Sequence, residues 1–143
     1  MTVVKAYYKH EHGETPLRLQ TPEDVDRLVG GLLTEDYSHS VAALYVDGRL
    51  NEAGVPDHEL LVAINNEDGD VGALRYMGGG GTYFSRGQAG GDKEVTCYYT
   101  GSDREFAADS EIPIEDVRQA VREFVASGQR PASVEWQAWP SRD

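Results

Sequence analysis

The chain is poor in cysteine, in basic residues and in long apolar runs, and each shortage closes off a class of function. Cys97 is the single cysteine in 143 residues, so no internal disulfide can form, and the default compartment is the reducing cytoplasm. No apolar run approaches the ~18 residues that cross a bilayer. The opening MTVVKAYYKH alternates like a strand and lacks the apolar stretch of a signal peptide. Lys and Arg total 13 against 25 Asp and Glu, a formal net charge of −12. Such a chain is repelled by nucleic acid and by anionic lipid and attracted to a basic partner, although acidity by itself also serves solubility. Hydrophobic residues make up 39%, enough for a single domain over 1–143 with a real core.

Chemistry-bearing motifs are short of parts as well. Residues 72–87, GALRYMGGGGTYFSRG, carry four consecutive glycines, Gly78 to Gly81. A phosphate-binding loop needs a lysine after its glycines, and a dinucleotide fingerprint needs a helix there. Here no lysine is near, and Thr82-Tyr83-Phe84 is β-prone, so the glycines read as a flexible hairpin connection. His10 and His12 share strand parity around Glu11, but without a cysteine pair or a HExxH helix they read as strand-end histidines near solvent. His39 and His58 are the only others. Cys97 alternates with Val95 and Tyr99, which points it into the core as an inert thiol. Ser85, in YFSRG, lacks the first glycine of a nucleophile elbow. The acids of NNEDGD and TPEDVD read first as a solvated turn and a helix start. The expectation is a protein with no catalytic residues, no metal and no cofactor.

What the sequence does hold is periodicity. Val4, Ala6 and Tyr8 alternate with Lys5, Tyr7 and Lys9, a half-buried strand over Val3–His10, and a short strand follows at Leu17–Gln20. A helix is expected near Pro22–Leu33, with Thr21 as N-cap, Pro22 at the first position and Glu23 and Asp24 at the positive end of its dipole. Val25, Leu28, Val29, Leu32 and Leu33 form its apolar stripe. Gly30 and Gly31 each cost about 1 kcal/mol relative to alanine, which close approach to a sheet would explain. SVAALYV is apolar throughout and reads as a central strand, and HELLVAI, VGALRYM, TYFSR and EVTCYY follow across short links, including the polar turn at 65–70. A second helix is expected at Pro113–Ser127, striped by Val117, Ala120, Val121, Phe124 and Val125 and stopped by Gly128 and Pro131. SVEWQAW closes the chain as a strand, with Val134, Trp136 and Ala138 on one face and Glu135, Gln137 and Trp139 on the other. The order implies an α+β domain: an antiparallel-dominated sheet of about six to seven strands with both amphipathic helices on one face.

Aromatics complete the inventory. Eight Tyr and two Trp give the sheet rings on both faces. One tryptophan should serve the core and the other, beside Glu135 and Gln137, is a candidate exposed anchor of the kind that interfaces favour.

ALYVDGRLNEAGVPDHELLVAI, GALRYMG, EFAADSEIPIEDVRQAVREFVASGQRP and VEWQAWP together resemble the Imm1-type immunity proteins of bacterial polymorphic toxin systems. The similarity runs from about Ala43 to Pro140 in the family's order, and PDHEL and VEWQAW are its most unusual strings. The resemblance implies a protein that neutralises a cognate toxin encoded nearby, commonly one whose toxin domain looks like a nucleic-acid deaminase. A toxin that grips nucleic acid needs a basic channel, which an acidic protein can occupy. Glu67, Asp68 and Asp70 in one polar turn, and Glu135 and Trp139 on one strand face, are then the contact candidates. The partner expected is a basic toxin domain, with no nucleic acid and no membrane, bound by a monomer or homodimer. The alternative is a small-molecule-binding or enzymatic α+β domain whose pocket lies between sheet and helices; a deep pocket holding His58 or Cys97 would favour it.

Overall fold

Alternating burial builds the sheet. The computed structural model describes residues 3–8, 14–34, 41–50, 52–54, 57–64, 71–78, 81–87, 95–99, 102–106 and 110–139, with the backbone alone for 95–99, 102–106 and Trp139. The strands are β1 (Val4–Tyr7), β2 (Leu17–Leu19), β3 (Val41–Val46), β4 (Glu59–Ile64), β5 (Val71–Gly78), β6 (Gly81–Ser85), β7 (Val95–Tyr99), β8 (Ser102–Phe106), β9 (Ile112–Pro113) and β10 (Trp136–Trp139). The helices are α1 (Pro22–Thr34) and α2 (Ile114–Ser127). The main sheet is ordered β10-β6-β5-β4-β3-β1-β2, with β9 paired to β5, and every pairing is antiparallel. The α+β expectation is met, and β3 to β6 form the meander that the short links imply.

Both helices lie on one face. Val25, Leu28, Val29 and Leu32 from α1 and Val117, Ala120, Val121, Phe124 and Val125 from α2 enter one buried cluster with Val4, Ala6, Leu44, Leu60, Val62, Ile64 and Leu74. The helices are tied to each other at the surface: Asp26 Oδ1 accepts from Arg122 Nη2 at 2.8 Å and from Arg118 Nη1 at 3.2 Å. The Arg122 hydrogen bond, against the opposing effect of burial, holds the Asp26 carboxyl below its ordinary range. Thr21 caps α1 as expected, its Oγ1 accepting the Asp24 N–H at 3.2 Å while the Asp24 carboxylate accepts the Gln20 and Thr21 N–H groups. α2 begins one residue later than expected. Pro113, at ψ 145°, is still extended and serves as the N-cap without a side-chain hydrogen bond, because it is also the last residue of β9. Gly128 ends the helix in the left-handed conformation at φ 70°, its N–H bonded to the Phe124 carbonyl.

Close approach explains one glycine of the α1 pair and not the other. A Cβ on Gly31 would sit 2.5 Å from the Tyr8 hydroxyl, whereas one on Gly30 would meet nothing within 4 Å. At Gly72 the close approach is to backbone: its Cβ would lie 2.5 Å from the Ala63 carbonyl oxygen and 3.1 Å from Val117 Cγ2, so α2 packs directly on bare backbone.

The run of strands divides where the sequence suggested continuity. EVTCYY does not extend the main sheet; β7 pairs with β8 as a separate ribbon that lies against β3. Strands β8 and β9 are absent from the sequence reading, because β8, SDREF, is too polar and β9, two residues long, too short to announce itself. On the face away from the helices, Val41, Ala43, Leu61, Ala63, Ala73 and Phe84 form a second buried cluster, so β3 is apolar on both sides because both sides are covered. The glycine run is a hairpin connection: Gly78 pairs with Gly81, and β6 turns straight back along β5. No described helix is long and apolar enough to cross a membrane. His10, His12 and His39 lie outside the described residues, as does the Cys97 side chain.

Candidate partner-binding surface

His58 is the buried titratable group nearest to an enzyme-like arrangement among the described residues. It follows Asp57 in PDHEL, and its strand parity with Leu60 turns it toward the helices, where its ring lies 6.2 Å from that of Phe124. His58 Nε2 accepts the Val46 N–H at 2.7 Å, and Nδ1 lies 2.8 Å from Asp57 Oδ1. An imidazole nitrogen that accepts from an amide carries no proton, so the ring is neutral and donates from Nδ1 to Asp57. Burial pushes the His58 pKa down, against the raising effect of Asp57 and with a further push from Arg49. Asp57 in turn receives Arg49 Nε at 3.2 Å, and Arg49 Nη1 donates to the Gly128 carbonyl at the C-terminus of α2. A cation there complements a helix end that has no basic residue in its own last turn. Both His58 nitrogens are thus engaged in pinning the β3–β4 connection, and Arg49 ties that connection to the end of α2. The arrangement resembles an acid–base dyad in composition, but it positions backbone and has no nitrogen left for a substrate proton.

Ser85 is likewise structural. At Leu74, β5 changes neighbour from β6 to β9, and the ladder would leave a peptide N–H without an acceptor. Ser85 Oγ accepts that Leu74 N–H at 2.9 Å and donates to the Ser110 carbonyl at 2.7 Å, with both serines fully buried. Among the described residues no three His, Cys, Asp or Glu side chains gather to hold a metal. The space between sheet and helices is filled by the apolar cluster that includes Phe124, Leu60 and Leu74.

The surface has two contrasting ends. At the end where β5 starts, Val71 pairs with Pro113 and Gly72 with Ile112, which sets Glu111, Glu115 and Asp116 around the beginning of α2. The Glu115 side chain is 77% exposed. Of the nearby cations, Arg122 is drawn onto Asp26, and Arg118 is shared between Asp26 at 3.2 Å and Glu115 at 3.5 Å. At the other end, on the face away from the helices, the register aligns one row across the sheet: Lys5 with Tyr45, Glu59 with Met77, Met77 with Thr82, and Thr82 with Trp139. Tyr45 joins the row to Glu59 by donating its hydroxyl to the carboxylate at 2.5 Å.

The five contact candidates do not share one spot. Glu67, Asp68 and Asp70 lie outside the described residues; the strand ends they connect, Ile64 and Val71, are at the acidic end. Glu135 is exposed on the edge just before β10, its carbonyl accepting the Arg86 N–H at 2.9 Å, toward that same end. Trp139 is at the opposite end, opposite Thr82, about 17 Å along the strands from Gly72 at ~3.3 Å per residue. Trp136 is the core tryptophan: it packs against the helix-side cluster and donates Nε1–H to the Pro131 carbonyl at 2.6 Å.

Glu111, Glu115 and Asp116 at one end, and Tyr7, Tyr45 and Leu50 at the other, escaped the sequence reading. Nothing in the helix pattern of α2 singles out its first-turn acids, and their placement beside the start of β5 depends on β9, a strand of two residues. Tyr45 carried a signal, since it stands in an apolar strand directly opposite the acid of PDHEL.

No curated protein matches the chain. The family model described as immunity protein Imm1 matches residues 13–138, which takes in nearly every described element from β2 to β10, and the chain therefore belongs to the Imm1 immunity protein family.

Proposed function

We propose that this immunity protein neutralises a basic, deaminase-like toxin domain acting on nucleic acid, by setting its acidic end against the surface where that toxin grips phosphate. The supporting observation is the one-sided charge of the β9–α2 end, where exposed Glu115 and Asp116 and half-buried Glu111 flank the strands that lead into Glu67, Asp68 and Asp70. Carboxylates spaced along one end imitate a run of phosphates, and a chain of net charge −12 accelerates encounter with a basic partner. The protein acts in the cytoplasm without a cofactor and without catalysis of its own. Glu135 and Trp139 extend the contact along the β10 edge, within an interface of roughly 1,600 Å².

Binding kinetics against the toxin domain encoded beside the gene test this. Association should be about 10–10³-fold faster at low salt than at high salt. Reversing Glu67, Asp68 and Asp70 to Lys should slow it, while Trp139→Ala should mainly speed dissociation. Association rates indifferent to salt and to the triple reversal would remove the phosphate-mimic reading.

A further inference from the structure

On the face away from the helices, Lys5, Tyr7, Tyr45, Val46, Asp47, Gly48 and Leu50 line an open hollow of about 390 Å³. It lies at the end of the sheet opposite the acidic one. Its walls are pre-set. The Tyr7 and Tyr45 rings meet edge to face, 5.9 Å between centroids at 67°, and Tyr45 is further held by its hydrogen bond to Glu59. Leu50 stands on the rim at 52% exposure and is the one large hydrophobic side chain exposed among the described residues. Single exposed leucines are ordinary, but this one borders a ready-made concavity with two aromatic walls.

The charges around the hollow are unlike those of the chain as a whole. Asp47 pairs with Lys5 at 3.1 Å and with Arg18 at 3.1 Å. Glu59 lies beyond Tyr45, and on the opposite, Lys5–Arg18 side two cations share one carboxylate, a locally positive spot on a protein of net charge −12. The side chains of Lys5 and Arg18 are 33% and 60% exposed, so that spot faces solvent. Inside, the Tyr45 hydroxyl and the Asp47 carboxylate are already committed to neighbours. Water in such a place is loosely held, and an apolar group displaces it at a gain.

We propose that this hollow receives an anchoring side chain of the toxin, an apolar or aromatic residue with a carboxylate beside it. This rests on the immunity reading above and deepens it. The aromatic walls and Leu50 take the anchor, as interface hot spots fill preformed pockets. Lys5 and Arg18 take the neighbouring acid and would repel a base at the same position. A partner that is basic overall is thereby held in one orientation: its cationic surface toward the acidic end, its acid-flanked anchor toward Tyr7 and Tyr45.

The test uses the full chain and the neighbouring toxin domain in an inactivated form. Leu50→Ala and Leu50→Asp change an exposed side chain, so thermal unfolding should be unaltered, while dissociation should quicken by about tenfold or more. The double variant Lys5→Gln, Arg18→Gln decides the sign of the rim charge. Removing two cations from an already acidic chain speeds encounter with a basic partner in either case, so dissociation is the readout: if a toxin carboxylate docks there, dissociation quickens; if the toxin is basic at that point, dissociation slows and the anchor as described is wrong. Leu50 variants that bind within twofold of the parent, with the parent still neutralising the toxin, overturn the hollow and leave the immunity reading standing. A parent chain that does not bind the toxin overturns both. Loss of a homodimer by light scattering in Leu50→Asp, with toxin binding unchanged, assigns the hollow to a second copy of this chain and refutes the proposal.

Discussion

Replacing Ser85 with alanine removes one oxygen atom from a site with no access to solvent, and its cost can be worked from the two bonds that oxygen makes. The Leu74 N–H, which donates to Oγ at 2.9 Å, is left at the β6–β9 seam without that acceptor. An orphaned buried donor costs about 1–3 kcal/mol. The Ser110 carbonyl loses the hydroxyl that donates to it at 2.7 Å, a net loss of about 0.5–1.5 kcal/mol. Together the substitution should destabilise the fold by about 2–4 kcal/mol, a large share of the 5–15 kcal/mol typical of a domain. The space left by a single oxygen is too small for a replacement water to serve both groups. Urea unfolding measures the loss as a lower midpoint at unchanged slope, and hydrogen exchange should show the Leu74 amide opening faster than its neighbours in β5. Ser127→Ala is the control: that hydroxyl is exposed and bonds only within the last turn of α2 and to the Gln129 N–H, so its removal should change stability by no more than about 0.5 kcal/mol. A loss below about 1 kcal/mol for Ser85→Ala would mean that the seam relaxes and the hydroxyl is not its closure.

Acidification should weaken the fold through His58. Because its folded pKa is depressed, the unfolded chain takes up the proton first, so stability declines as pH falls from about 6.5 through the folded pKa. Urea midpoints between pH 8 and pH 5 should show this decline in the parent and much less of it in His58→Gln, and equal slopes would dismiss the neutral-acceptor role. Gly72→Ala should destabilise by about 1–3 kcal/mol although its backbone angles suit alanine, since the added methyl meets the Ala63 carbonyl and Val117; an unchanged melting temperature would show that α2 can back away from β5.

Both helices were legible because an amphipathic stripe with a capped start and a glycine stop is a local signal. Val25 to Leu32 and Val117 to Val125 are buried as their spacing requires. The strand faces were legible for the same reason, down to Val4, Ala6 and Tyr8. What the residues could not reveal alone are features made by distant segments meeting. Ser85 looks like a failed nucleophile until Ser110 is beside it. His58 looks like a lone histidine until the Val46 amide occupies Nε2. The separate β7–β8 ribbon follows a strand pattern that is indifferent to which sheet receives it. Glu67, Asp68 and Asp70 stand out by crowding in sequence, whereas Glu115 and Asp116 are set beside the start of β5 only by the β5–β9 pairing.

The position of β10 has a consequence for synthesis. β6 finds β5 at once through a tight hairpin, but its other edge waits for Trp136–Trp139, with two short strands, β9 and α2 still to be made in between. At roughly 5–20 residues per second, that edge leaves the ribosome several seconds before its partner. An open strand edge is a template for pairing with another chain. The Glu123 carboxylate, which collects the Ala132 and Ser133 N–H groups at 2.7 and 3.1 Å, folds the exit of α2 back on itself and aims β10 at the gap as it emerges. A nascent chain stalled before residue 136 would carry a nearly finished sheet with one unguarded side, and the cell's quality control should treat it very differently from the finished protein.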